Sequence, residues 1–481
     1  MIAINMKRKS SLYLAYILPS ITSSWLIAPL GVLQGIYAKY FGLSLSTIAT
    51  VILCARLFDA VSDPLVGFYS DRFYSLHKTR KPIIFGGGLL FIVSSYFLYV
   101  PVSIDGTSDY GSGYSEVVSP FYFASWFILF YLSSTLFEIP HITWAGDLAT
   151  DAKNKAKIYS YRGVAGYLGM IFFFAVPMLP FFEITEITPD TLKVSVISAN
   201  TLMLIFLVIC LRNVPDSLQE STVCSIAKKD SESSVGLKMT VRVRQAGIKL
   251  QNILHSILAN KPFFIFLSGF ILISLGIGMW YGLLFIYVDA YLGVGDLFAP
   301  TFVLAFSIGV VSIPGWCAIA IRYDKSITLC AAIGLIISGF IITGFFEKEA
   351  ASGASLLLLQ LLVGVGFACV IAMAPAMVSE AADYGAWKSH ENRPASYFAI
   401  YNFSHKTSSA VSTAVGLSIA GWYGFDVSAG EQTSQGVVGI KLTTAYLPAF
   451  FASLSLIFIY FTPINARRHR IIRRRLESSG F

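Results

Sequence analysis

Runs of mostly apolar residues, each long enough to cross a bilayer as a helix, recur along this chain from near residue 12 to near residue 462. A crossing needs about 20 such residues, because a helix rises ~1.5 Å per residue through a hydrocarbon core of ~30 Å. Twelve runs meet that requirement: 12–36, 44–69, 83–103, 120–144, 163–182, 194–212, 263–289, 298–321, 327–345, 352–378, 395–423 and 441–462. Charged residues make up only 13% of the 481 positions, half the ~25% of a soluble domain. Hydrophobic residues reach 55%, and Phe alone takes 38 positions. Too little charge is left to cover a water-facing surface, so the soluble-enzyme classes are excluded. The expected fold class is an all-α polytopic membrane protein.

The first run follows Lys7, Arg8 and Lys9. It is too long for a signal-peptide core, contains Pro19 and Pro29, and lacks a clear small-residue cleavage site, so it reads as a span. Placing the N-terminus inside leaves only Lys39, Lys193, Lys348 and Lys441 in outside loops, with Arg56 and Lys406 inside the membrane. All other Lys and Arg then lie on the inner side, which predicts that both termini are cytoplasmic. The arginines at 467, 468, 470, 473, 474 and 475 stop the last span and face lipid headgroups; no groove-reading motif points to nucleic acid.

A polar, basic stretch at 213–262 separates six runs from six. The expected organisation is therefore an N-terminal six-helix bundle (1–212), a cytoplasmic linker (213–262) and a C-terminal six-helix bundle with a basic tail (263–481). The linker's latter part reads either as an amphipathic helix on the membrane surface or as flexible chain. Residues 104–119 carry Asp105, Asp109 and Glu116 without Lys or Arg and read as an outside loop. No cysteine pair falls in outside loops, and no metal-site spacing, phosphate-binding glycine loop or nucleophile elbow is present. No cofactor is expected, and energy for transport must come from an ion gradient.

The informative residues are charges where charge is expensive. Arg56, Asp59 and Asp63 follow at steps of three and four, hence on one helix face. Charge in hydrocarbon costs several kcal/mol, so that face is directed at an internal cavity. Two carboxylates one turn apart offer hard oxygen ligands to a small cation such as Na⁺, with Ser62 and Thr135 as neutral oxygen donors. A shared proton is the alternative occupant, and a purely structural ion-pair network the bland one. Arg56 would hold the acids when the site is empty. Thr135 and Glu138 share a face of the fourth run, where Pro140 is expected to interrupt the helix and mark the solute region. Trp144 reads either as a sugar-stacking ring or as an interfacial anchor, and Arg162 either as a positive-inside anchor or as a cavity residue. Lys406, with Asn402 four residues before it, needs an anionic partner; Asp59, Asp63 or Glu138 would supply one across the halves.

At these residues a family resemblance enters. The stretch Arg56-Leu-Phe-Asp59-Ala-Val-Ser-Asp63-Pro64-Leu-Val-Gly67, followed by Asp71-Arg72 and Lys81-Pro82, resembles the melibiose-carrier family. That family is the glycoside–pentoside–hexuronide:cation symporter group of the major facilitator superfamily. Asp383-Tyr384-Gly385 with Trp387 and Lys388, then Phe403 and Lys406, resembles its second-half signature. The resemblance implies the major facilitator fold and a cation site at Asp59 and Asp63 helped by Ser62 and Thr135. It also implies a sugar site at or beside Glu138, Arg162 and Lys406, and halves that rock about a central cavity. The motifs around Asp71, Arg72, Asp383 and Arg393 are expected to gate the cytoplasmic side through ion pairs between the bundles.

Departures from the family pattern bear on the solute. Ser23 stands nearest to where sugar carriers often place an aspartate, Glu138 replaces a shorter acid, and Ile142 occupies a position suited to a stacking tryptophan. The expected activity is Na⁺- or H⁺-coupled symport of a sugar or related small hydroxylated solute. A lysolipid-carrier class resembles the same family and keeps the paired acids and the lysine, and a non-transporting receptor is the alternative of a different class. The expected setting is the bacterial inner membrane, with the chain acting as a monomer among membrane lipid.

Overall fold

The computed structural model describes residues 2–101, 118–148, 152–180, 182–216, 260–389, 394–463 and 466–478. Most of the 213–262 linker, nearly all of the 104–119 loop and Arg393 lie outside the described residues. The first half contains α1 (Ile2–Ile27), α2 (Leu33–Tyr40), α3 (Leu45–His77), α4 (Lys81–Tyr99), α5 (Pro120–Leu148), α6 (Ala152–Ala175) and α7 (Pro189–Asn213). The second contains α8 (Lys261–Ile286), α9 (Gly295–Tyr323), α10 (Lys325–Phe345), α11 (Gly353–Ser389), α12 (Pro394–Trp422), α13 (Ser434–Lys441), α14 (Leu447–Tyr460) and α15 (Ala466–Ser478). Single π-helical turns carry α8 on through Tyr291 and join α13 to α14.

Among the described residues 11 helices are long and apolar enough to cross a membrane. The run expected at 395–423 is a helix of 29 residues, α12, but does not count among them. Asn402, His405, Lys406 and several hydroxyl residues lower its hydropathy. A helix this polar can sit at membrane depth only if its polar face meets protein or water.

The helices pack as two interacting groups. In the first, α1 lies against α6 and α7, and α5 against α3 and α4; in the second, α8 lies against α12 and α14, and α11 against α9 and α10. Small residues allow the close approach that packing in lipid requires. A Cβ on Gly87 of α4 would stand 2.7 Å from the Leu136 carbonyl carbon of α5. Leu136 is four residues before Pro140, so its carbonyl receives no helical hydrogen bond from that proline, and α4 packs directly over it. The helix runs through Pro140 without a break, which corrects the interruption expected there. Between the groups the principal contact is α3 with α12, seconded by α6 with α9 and α2 with α8. We term the side carrying the α3–α4 and α11–α12 connections and α15 the terminal end, and the other side the far end.

Candidate functional site

The α3–α12 contact brings the costly charges together. Thr135 on α5 donates its hydroxyl at 3.2 Å to Asp59 Oδ1 and, alternatively, at 2.9 Å to Asp63 Oδ1. Lys406 on α12 reaches across with Nζ 2.8 Å from Asp63 Oδ2 and 4.0 Å from Asp59 Oδ2. Arg56 lies one turn from Asp59, Nη1 to Oδ2 3.7 Å, with its guanidinium 4.3 Å from the centre of the Tyr131 ring. Asp59 is buried, its side chain 6% exposed, whereas that of Lys406 is 53% exposed. The acids are thus held in the protein and the lysine approaches from an open side. Ser62 is buried but donates back to the Asp59 backbone carbonyl at 3.3 Å, so its hydroxyl is engaged by its own helix. Among the described residues no group of three or more His, Cys, Asp or Glu converges on a metal-sized point; the cluster offers two carboxylates and a hydroxyl.

A second polar group lies on α1, α5 and α6. Ser23 donates at 2.8 Å to Glu138 Oε1, Arg162 Nη2 lies 3.5 Å from the same oxygen, and Arg162 Nε donates to Ser20 at 3.3 Å. Arg162 therefore faces this group rather than solvent alone. Asn402 is exposed one turn before Lys406. Trp144 does not join them: it is 1% exposed, donates Nε1 to the Pro215 and Asp216 carbonyls at 3.2 and 3.1 Å, and presents no face to a solute. Of its two expected roles, the stacking ring is not seen in this structure, because the chain after α7 folds over Trp144.

At the terminal end, two of the acids expected to pair between the bundles have partners within their own half in this structure, and Arg393 lies outside the described residues. Asp71 pairs with Arg80 at 2.9 Å, and Asp383 with His469 of α15 at 2.8 Å, each within its own half. Asp71 and Arg80 flank the tight turn at Lys78 (φ 58°), so chain proximity satisfies them locally. Arg72 is exposed. Arg56 lies beside Asp59 on α3 and away from this end.

Two features went unread in the sequence. At the far end Lys39 lies 2.9 Å from Glu186 and 2.9 Å from Asp289 of α8's π turn, tying the first half to the second. Burial alone would lower the Lys39 pKa, but the Asp289 and Glu186 carboxylates raise it above the ordinary lysine value. Thr185 adds a 2.6 Å hydrogen bond to the Asp296 carbonyl. Between this end and the charged cluster lies a cavity of about 320 Å³, walled by both halves. Phe302, Phe306 and Tyr281 line it, together with Ser24, Ser274 and His405.

Comparison with known proteins places this architecture. Residues 11–466 match the family model described as MFS/sugar transport protein. The chain belongs to that family. It is a multi-pass membrane transporter of the major facilitator fold and not an enzyme. It is similar to the uncharacterized symporter YjmB of Bacillus subtilis (strain 168), 22% identical over 88% of this chain and 86% of the relative. The glucuronide carrier protein homolog of Escherichia coli (strain K12) is 21% identical over 91% and 88% of the two chains. The sodium-dependent lysophosphatidylcholine symporter 1 of Xenopus tropicalis is 20% identical over 93% and 86%. Among solved structures, a bacterial homolog of the lysosomal transporter Spinster, inward-facing and unoccupied, superposes with TM-score 0.65 at 10% identity, covering 95% of this chain and 97% of that one. The inward-open xylose transporter XylE from E. coli gives 0.62 at 16%, covering 95% and 96%. At these identities the structures speak for the fold alone.

Proposed function

We propose that this MFS/sugar transport family member carries out cation-coupled symport of a sugar or related small hydroxylated solute by alternating access. The coupling ion is Na⁺ or H⁺, bound at Asp59 and Asp63 with Thr135 as the neutral donor. The observation that carries this reading is Lys406, an ammonium from one half seated 2.8 Å from Asp63 of the other. It stands where a small cation would neutralise the acids. A cation or proton entering the pair competes with Lys406, releases it, and so alters the contact between the halves along α3 and α12. That is the differential interaction a coupled carrier needs between its two states. Glu138 and Arg162, backed by the buried Ser20 and Ser23 that bond to them, would hold the solute together with the exposed Asn402.

In this reading α12 is the eleventh of twelve crossings and the chain forms two six-helix bundles, 1–212 and 263–481, joined by the 213–262 linker. The basic residues of the terminal end favour cytoplasmic termini in a bacterial inner membrane, and a single chain contains the whole pathway. Lys39, Glu186 and Asp289 then close the outer side, and the carrier is open or about to open inward. A second reading, an amphiphile as solute, is favoured by the aromatic lining of the cavity and accords with the name of the lysophosphatidylcholine symporter relative.

The test is uptake into proteoliposomes under separate Na⁺ and H⁺ gradients, with sugars, sugar acids and lysolipids as labelled solutes. One gradient should drive accumulation, and Asp59→Asn should reduce it about 100-fold, the upper range of coupling between two sites. Undiminished accumulation by Asp59→Asn would remove the cation-site assignment.

A further inference from the structure

At the terminal end of the second half lies α15, a helix whose two faces are built for different partners. One face docks on the end of α11. Ile472 is buried there and packs with Ala386, flanked by Tyr384 and Trp387. The Arg475 guanidinium lies 5.6 Å from the centre of the Trp387 ring. His469 sits between two acids of α11, with Nε2 2.8 Å from Asp383 Oδ2 and Nδ1 3.7 Å from Glu380 Oε1. Glu380 is itself buried and also pairs with Lys325, so the docking reaches the start of α10.

The other face points away from this contact. At about 3.6 residues per turn, Arg470, Ile471 and Arg474 fall together on the side opposite His469 and Ile472. All three are exposed, and the two arginines stand one turn apart with the isoleucine beside them. An isoleucine left 49% exposed among guanidiniums is unfavourable against water. It suits the boundary between headgroups and acyl chains, where basic and apolar side chains share one plane. The end of α14 marks that level: Tyr460 and Phe461 are both well exposed, as aromatic residues at a membrane interface are, and α15 begins at Ala466.

We infer that the outward face of α15 is a binding surface for anionic phospholipid, and that lipid bound there holds the terminal end of α11 in its docked position. Headgroup phosphates pair with Arg470 and Arg474, and Ile471 lies against the acyl boundary. Charge complementarity selects the occupant. A zwitterionic lipid brings no net charge to the arginines, and a free phosphate offers Ile471 no apolar surface. Glu380 and Asp383 alone would repel an acidic membrane; α15 interposes its arginines. Docking sets which face of the helix is outward, since an undocked α15 would turn Ile472 to lipid and rotate the arginines out of register. Headgroup binding and docking therefore favour each other by the same factor. His469 is the positioning residue that passes the effect to Asp383 and Glu380. The arginine cluster then does more than stop the last span: it makes the position of α11's end depend on lipid charge, whichever solute or cation is carried.

The experiment is hydrogen–deuterium exchange of the purified full chain in phosphatidylcholine nanodiscs with and without one-third phosphatidylglycerol, and in detergent with inorganic phosphate. Phosphatidylglycerol should slow amide exchange about tenfold over 466–478 and over 380–389 together, the order that two arginines supply at an acidic surface. High salt should remove the effect. Arg474→Gln should reduce the slowing to about threefold, and Arg470→Gln combined with it should abolish the slowing. Both positions are exposed, so the fold should tolerate these changes. His469→Ala should keep the slowing over 466–478 but lose it over 380–389, a split that a merely packed helix would not produce. Unchanged exchange in phosphatidylglycerol overturns the inference, as does slowing that survives the paired arginine variant or that inorganic phosphate reproduces. Faster exchange over 380–389 in phosphatidylglycerol also overturns it, because headgroups would then be drawing α15 off α11. Slowing over 380–389 that survives His469→Ala overturns the part given to the histidine.

Discussion

Among the described residues the two halves are tied together twice by one lysine and two acids, and the two ties are built differently. In the membrane-depth cluster both acids belong to α3, one turn apart, and the lysine comes from the other half. At the far end the lysine and Glu186 belong to the first half and Asp289 to the second. The Lys406 side chain is 53% exposed and Thr135 bridges its acids; Lys39 is 29% exposed and sits between a carboxylate of the connection before α7 and one of α8's π turn. In the first arrangement the lysine can leave and the acids still share a hydroxyl and an adjacent Arg56. In the second, loss of the lysine leaves two carboxylates facing each other across the halves. The first is arranged for exchange of its cation and the second for holding a boundary closed.

The sharpest way to break that comparison is to remove each tie's decisive charge. Lys406→Gln eliminates the competitor for Asp59 and Asp63, so Na⁺ or H⁺ should bind more tightly in the absence of solute, by about tenfold, while coupled uptake is lost. Direct ²²Na⁺ binding and proton release on solute addition read this. Weaker cation binding by Lys406→Gln would mean that the lysine organises the acids rather than competing for them. Asp289→Asn should have a smaller effect and of another kind. With the far-end tie weakened, a Gly31→Cys reporter in a background without native cysteines should react about fivefold faster with an impermeant maleimide applied at that end. Cation affinity should stay unchanged; a change there would mean that the two ties are not separate devices.

The sequence exposes the first tie far better than the second, for a physical reason. Arg56, Asp59, Asp63 and Lys406 interrupt apolar runs, and charge at membrane depth is costly enough to be informative by itself. Helical spacing then puts the three α3 residues on one face, and the structure brings Thr135 to the same acids. Lys39 and Asp289 are 250 positions apart and each lies near a span end, where charge is ordinary and spacing says nothing about partners. The aromatic cavity is hidden for the opposite reason. With Phe at 38 positions, a phenylalanine facing a cavity cannot be told from one facing lipid or core. The surroundings of Trp144 and Pro140 depend on the chain after α7 and on Gly87 of α4, neither of which a single helix pattern records. The count of crossings turns on α12, whose polar residues obscure its length but are the reason it meets α3.

A third lysine–acid pair sets the lower bound of the comparison. Lys441 lies 2.6 Å from Glu347, both in the second half, and the Glu347 side chain is 62% exposed. Hydrogen bonds from Lys441 and from the Tyr291 hydroxyl hold the Glu347 carboxyl below the usual carboxylate range. Water screens such a pair, and exposed ion pairs typically contribute ~0–1 kcal/mol. A folded-state pKa that is depressed contributes stability above the unfolded-state value and loses it as pH falls through the folded one. Glu347→Gln should therefore lower the Tm in detergent by no more than a degree or two at pH 7, roughly what such a pair shifts in a large domain. The difference from the unmodified chain should shrink as pH drops below the ordinary value of 4.5. The pair joins α10's far-end loop to α13 without crossing between the halves, so neither cation binding nor maleimide access at Gly31→Cys should change. A change in either would show that closeness to the far end, rather than a bond between the halves, is what makes Lys39 and Asp289 effective.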